Sequence, residues 1–141
     1  MQKLKAALVM AACAAGALGA SIPAAASDAS VLSTVRHVQS GQCLDGSVSN
    51  GVVLKTCNSG AYQEWGTTGG DIVHAQSGQC LDGSVSNGVR LKPCNGSVYQ
   101  QWTISGNQIK HVQSGLCLDG SVSNGVRLNT CNGSAYQKWT N

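Results

Sequence analysis

Beyond residue 30 the apolar positions come singly or in runs of two or three, each broken by Ser, Gly, Asn or Gln. Such runs suit strands of four or five residues, and no stretch carries the i, i+3, i+4 stripe of a helix. The pattern also repeats. His37, His74 and His111, then Trp65, Trp102 and Trp139, recur at a constant step of 37 residues, and the phrase CLDGSVSNGV stands unchanged at 43–52, 80–89 and 117–126. Each unit predicts four short strands. The first lies around VRHVQ and is ended by Ser-Gly, the second is CLDG, the third is GVRLKPC or its equivalent, and the fourth surrounds the Trp. A Ser-Asn-Gly link between the second and third predicts a two-residue hairpin turn with positive φ at both Asn and Gly.

Units of this kind cannot bury an apolar face alone and must pack on one another. An open stack needs atypical capping units at its ends, but here the outer units are as regular as the middle one. A closed figure is therefore predicted, in which strand four of unit three pairs near strand one of unit one and removes the free edge. The expected fold class is all-β, a β-trefoil of three 37-residue repeats (35–71, 72–108 and 109–141) with pseudo-threefold symmetry, preceded by an arm at 27–34.

The amino-terminal segment changes how the charge is read. Lys3 and Lys5, an Ala/Leu/Val-rich run and small residues ending in Ala24-Ala25-Ala26 form the pattern of a secretory signal peptide, 1–26, cut after Ala26. The apolar run continues well past Cys13, which argues against a lipid anchor there. Of the formal +3 of the whole chain, little is left once this segment is removed: seven Lys and Arg face six Asp and Glu. A near-neutral exported domain has no electrostatic footprint for nucleic acid or an anionic membrane, and no later segment is apolar enough to insert in a bilayer.

Six cysteines remain after the signal, an even number that reads as a disulfide framework in an exported chain. Six cysteines allow fifteen pairings. The internal symmetry selects Cys43–Cys57, Cys80–Cys94 and Cys117–Cys131, each closing an equal loop. The spacing lacks the C-x-x-C form of a zinc site, and no metal or other cofactor is expected.

Three Gln-x-Trp elements, Gln63-Glu64-Trp65, Gln100-Gln101-Trp102 and Gln137-Lys138-Trp139, stand in register with S-G-x-C-L-D upstream and C-N-x-x-x-Y-Q-x-W downstream. In this the chain resembles the ricin B-type β-trefoil lectins, from about Val35 to the end. Leu81-Asp82, Pro93-Cys94-Asn95-Gly96 and Tyr99-Gln100-Gln101-Trp102 look most like the actinohivin-like three-repeat lectins of high-mannose glycans. The resemblance implies one shallow sugar pocket per unit. In it Asp45, Asp82 and Asp119 accept hydrogen bonds from a pair of hydroxyls, Asn58, Asn95 and Asn132 give and take a second pair, and Tyr62, Tyr99 and Tyr136 form an apolar wall. The chemistry is consistent, because a pyranose offers hydroxyls along its edge and C–H groups on its face.

The departures from the family fall at candidate specificity positions. Lys55, Lys92 and Asn129 stand where galactose-binding units often carry an aromatic and actinohivin-like units a Leu. Val53, Arg90 and Arg127 stand where the latter have Tyr. Mannose and galactose thus both stay open, and the two arginines suggest anionic glycans for units two and three.

The same residues admit other readings. Asp-Gly is also a turn dipeptide, so each Asp could cap a turn. The Gln and Trp of Gln-x-Trp read as core, with the Gln bonding backbone. The histidines could converge on a metal but read better as packed side chains, and Asn95-Gly96-Ser97 and Asn132-Gly133-Ser134 read as turns and not glycosylation sites. One symmetric acid per unit, with Glu64 unmatched elsewhere, gives no paired acid and base, so no enzyme is expected. Triplication suits multivalent glycan binding. The rivals are a trefoil scaffold without sugar binding, such as a protease inhibitor or an envelope protein, and an accessory carbohydrate-binding module for a separate hydrolase. An inhibitor of this fold usually presents one protruding loop unlike the others, and no unit here has one.

Overall fold

The computed structural model describes residues 32–141, so the predicted signal segment, Cys13 and most of the arm lie outside the described residues. Among the described residues twelve strands are present: β1 Arg36–His37, β2 Cys43–Ser47, β3 Gly51–Lys55, β4 Trp65–Thr68, β5 Asp71–His74, β6 Cys80–Ser84, β7 Gly88–Lys92, β8 Trp102–Ser105, β9 Gln108–His111, β10 Cys117–Ser121, β11 Gly125–Asn129 and β12 Trp139–Thr140. They form three four-stranded antiparallel sheets, β4-β5-β6-β7, β8-β9-β10-β11 and β12-β1-β2-β3. Each sheet takes its first strand from one unit and the other three from the next. The last sheet closes the figure, with Arg36 opposite Thr140 and His37 opposite Trp139. This is the predicted β-trefoil, closed where the sequence pattern placed the closure.

The core repeats by threes. Val35, Ile72 and Ile109, then Leu44, Leu81 and Leu118, then Trp65, Trp102 and Trp139 are buried together. Each indole N–H donates to a buried backbone carbonyl, Trp65 to Leu44, Trp102 to Leu81 and Trp139 to Leu118, at 2.9–3.0 Å. A buried indole without such an acceptor would lose a hydrogen bond to water and gain none. All three disulfides pair as the symmetry selected, and each ties the start of a unit's second strand to the residues just beyond its third.

One alternative reading falls away and one local expectation needs correction. Asp-Gly makes no turn, for it lies in mid-strand in β2, β6 and β10. Glycine is required there by close approach: a Cβ on Gly46 would stand 3.1 Å from the Trp65 ring, 3.2 Å from Leu91 and 3.3 Å from His74. The hairpin is not the two-residue form either. Ser47 pairs with Gly51, leaving Val48-Ser49-Asn50 as a three-residue loop. The Ser47 hydroxyl accepts the Asn50 N–H at 2.8 Å, and positive φ falls on Gly51 alone, at 79°. That is the loop in which a glycine bulge follows a turn.

Unit one carries a non-glycine residue at a left-handed position where the other two units have glycine. After the second cysteine it reads Asn58-Ser59-Gly60 where the others read Asn-Gly-Ser, so Ser59 adopts φ 63° where Gly96 and Gly133 adopt 72° and 69°. A left-handed residue with a Cβ costs about 1–2 kcal/mol, partly offset by the greater freedom of glycine in the unfolded chain. Ser59→Gly is expected to stabilise the domain by about 1 kcal/mol in urea unfolding. Ser97→Gly, at an extended position (φ −78°), should not stabilise it.

Candidate functional site

The phrase Ala-Tyr-Gln, or Val-Tyr-Gln in unit two, forms a single 3₁₀ turn ahead of each Trp, at Ala61–Gln63, Val98–Gln100 and Ala135–Gln137. The turn directs its Gln inward and its Tyr outward. Gln63 is fully buried and uses its whole amide. Its Nε2 donates to Asp45 Oδ2 at 2.9 Å and to the Thr56 carbonyl at 3.0 Å, while its Oε1 accepts the Asn58 backbone N–H at 2.8 Å. Gln100 makes the same bonds with Asp82, Pro93 and Asn95, and Gln137 with Asp119, Thr130 and Asn132. The Gln does bond backbone, as expected, but it is also the donor that holds the candidate acid.

The Asp, Asn and Tyr of each unit are thereby brought into one open cleft. Asp45, Asn58 and Tyr62 line a cleft of about 440 Å³, Asp82, Asn95 and Tyr99 one of about 560 Å³, and Asp119, Asn132 and Tyr136 one of about 670 Å³. The Asp side chains are sunk in the floor and the Tyr rings are roughly half exposed on the wall. Each Asn is partly committed, because its Oδ1 already accepts the N–H two residues on, from Gly60, Ser97 or Ser134, at 2.8–2.9 Å. What it offers the cleft is mainly the Nδ2 donor, a narrower role than the give-and-take expected of it.

The specificity positions lie around these trios. Val53, Arg90 and Arg127 sit directly across the hairpin from Asp45, Asp82 and Asp119. In units two and three the cation lies against the acid: Arg90 Nε donates to Asp82 Oδ1 at 3.3 Å, whereas Arg127 Nη2 stands 3.1 Å from Asp119 Oδ1 as an ion pair without hydrogen-bond geometry. Each acid already accepts from its glutamine through Oδ2, and in units two and three a guanidinium also stands at Oδ1. Lys55, Lys92 and Asn129 line the rims of their own clefts.

Some contributors went unpredicted. Gln39 and Ser40 of unit one line the cleft of unit three, and Gln113 of unit three lines that of unit two. The signal was present as the thrice-repeated His-x-Gln-Ser-Gly, but only the closed topology carries it across to a neighbour. The histidines of the same phrase do not converge. Each is buried at its own seam, where Nε2–H donates to the carbonyl of Tyr136 (from His37), Tyr62 (from His74) or Tyr99 (from His111) at 2.9–3.0 Å. Because a carbonyl only accepts, the proton is on Nε2, and Nδ1 takes the hydroxyl of Ser40, Ser77 or Ser114. Among the described residues no three His, Cys, Asp or Glu side chains group as metal ligands, and no helix is long and apolar enough to cross a membrane.

Residues 31–139 match the sequence model of the ricin-type beta-trefoil lectin domain. The chain belongs to that family. Among solved structures this lectin domain is similar to the hemolytic lectin CEL-III, with 26% identity and a TM-score of 0.67 over 77% of this chain, which spans 29% of that protein's length. It is likewise similar to ThreeFoil, a designed threefold-symmetric protein, with 26% identity, a TM-score of 0.66, and 77% and 95% of the two chains covered. The C-terminal half of the earthworm R-type lectin, solved with GalNAc, shares the fold at 19% identity, with a TM-score of 0.67 over 77% of this chain and 95% of that one. No curated protein sequence matches the chain.

Proposed function

We propose that this ricin-type domain is a secreted, multivalent carbohydrate-binding lectin with one glycan pocket per unit, acting without catalysis, metal or cofactor. The observation that carries the reading is the threefold recurrence of one trio in one setting: a recessed Asp held by a buried Gln, an Asn with a free amide donor, and a half-exposed Tyr, together in an open cleft. A sugar needs an acceptor and a donor for adjacent hydroxyls and an aromatic surface for its C–H face. Family membership supports the class of ligand, and neighbours solved with GalNAc or a galactoside are consistent with it. Three clefts on one rigid body would raise the avidity of individually weak sites for a branched or clustered glycan.

The test is a glycan array on the chain and on the triple variant Asp45→Ala, Asp82→Ala, Asp119→Ala. Binding by the first and its loss by the second are expected. Because the acids also engage buried glutamines, the milder Tyr62→Ala, Tyr99→Ala, Tyr136→Ala variant is run beside it, and circular dichroism checks that both are folded. Glycan binding unchanged in both variants would mean that the pockets lie elsewhere.

A further inference from the structure

The three clefts share their trio but not their charge. In unit one the residue facing the acid is Val53, so no guanidinium competes for Asp45, and Asp45 is balanced within its cleft by Lys55 on the rim. In unit three Asp119 and Arg127 are the charged residues of the lining and are paired with each other. Unit two has a surplus. Asp82, Arg90 and Lys92 line one cleft, and Arg90 and Lys92, two residues apart on β7, project from the same face of the strand. Arg90 also reaches its acid through Nε, which leaves both terminal amino groups available. In unit three a terminal nitrogen, Nη2, lies against the acid instead, 3.1 Å from Asp119 Oδ1.

Resting on the lectin reading, we propose that the pockets are of two kinds, and that unit two is a site for a sugar bearing a carboxylate, whereas unit one takes a neutral sugar. The two terminal amino groups of a guanidinium present parallel N–H donors at the spacing of a carboxylate's oxygens, and the paired bonds that result are charge-assisted. Asp82 holds the arginine in place from beneath through Nε, so the fork is positioned before the ligand arrives. Lys92 adds the charge that the Asp82–Arg90 pair cancels. Tyr99 and the Asn95 amide donor remain for the ring. In unit one the floor acid, held by Gln63 through Oδ2, has no guanidinium at Oδ1 and an apolar residue facing it, which suits hydroxyls on an uncharged ring. The preference expected of all arginine-bearing units from the sequence is thus narrowed to the one unit whose cleft keeps a net cation.

The test uses matched sugars that differ only at C6: galactose with galacturonate, glucose with glucuronate and mannose with mannuronate. Each is titrated into the full chain and followed by backbone amide shifts assigned to the three units. At least one acid is expected to shift unit-two resonances with an affinity about tenfold above its neutral partner, and that preference should shrink with added salt. At least one neutral sugar is expected to shift unit one. Arg90→Val, which copies the Val53 arrangement, is expected to remove the acid preference in unit two while leaving unit one unaltered. Val53→Arg with Gly60→Ser, copying unit two, should confer it on unit one. Neutral sugars binding all three units equally, or acetate alone matching the uronates, would overturn the division while leaving the lectin reading intact. No sugar of either kind shifting any unit would overturn the lectin reading itself.

Discussion

Reduction of the three disulfides is expected to unfold the domain at room temperature. The bridges Cys43–Cys57, Cys80–Cys94 and Cys117–Cys131 each close a loop with a sequence separation of 14. In the chain-entropy account a loop of that size contributes about 3 kcal/mol. Three of them, even short of full additivity, rival the whole stability of an ordinary small domain, about 5–15 kcal/mol. The apolar core cannot make up the difference easily. It rests on three Trp, three Leu, two Ile and two Val, without any Phe, and its interior also holds three fully buried histidines and three buried glutamines. Trp fluorescence followed in urea with and without reductant gives the measurement: a folded baseline is expected only for the oxidised chain. A midpoint that reduction leaves in place would show that closure of the sheets suffices.

Gln63→Met is expected to be the most damaging single change at a candidate site, lowering stability by about 3 kcal/mol in urea unfolding and weakening glycan binding in unit one. Methionine matches the volume and removes every bond. Asp45, almost wholly buried, then loses the amide donor that holds it, and the Asn58 N–H loses its acceptor. A buried charge stripped of its partner costs more than an equivalent neutral group. The comparison across units sharpens this. Gln100→Met and Gln137→Met leave Asp82 and Asp119 with Arg90 and Arg127, so they should cost less, by about 1 kcal/mol each. Equal losses in the three variants would mean that the arginines contribute nothing to holding the acids.

Much of the fold was legible because it is a matter of period. A constant step of 37 residues places every strand, selects the cysteine partners, and gives outer units as regular as the middle one. The trio at each cleft was legible for a different reason, since Asp, Asn and Tyr occur at fixed offsets from invariant cysteines and Gln-x-Trp. What escaped the sequence lies in contacts between residues far apart in it. The Gln63–Asp45 bond spans 18 residues and the His37–Tyr136 bond spans 99. The Arg90–Asp82 pair spans only eight, but it depends on hairpin register, and the three-residue loop that sets the register reads in the sequence as a two-residue Asn-Gly turn. Val53, Arg90 and Arg127 stand out in the sequence as positions that differ between units, but that the two arginines lie against the neighbouring acid is visible only in the structure.

The seams carry a consequence for the unit as a building block. A 37-residue segment on its own would keep an unpaired strand, a buried-type histidine with no tyrosine carbonyl to donate to, and a cleft missing the wall that its neighbour supplies. Each of those needs is met by another copy of the same segment, turned by a third of a circle. The covalent chain is in this sense a tethered ring of three, and the links between its members hold in place contacts that untethered members would make among themselves. Sequence drift in one member is then answered by its neighbour across the seam as much as by its own residues.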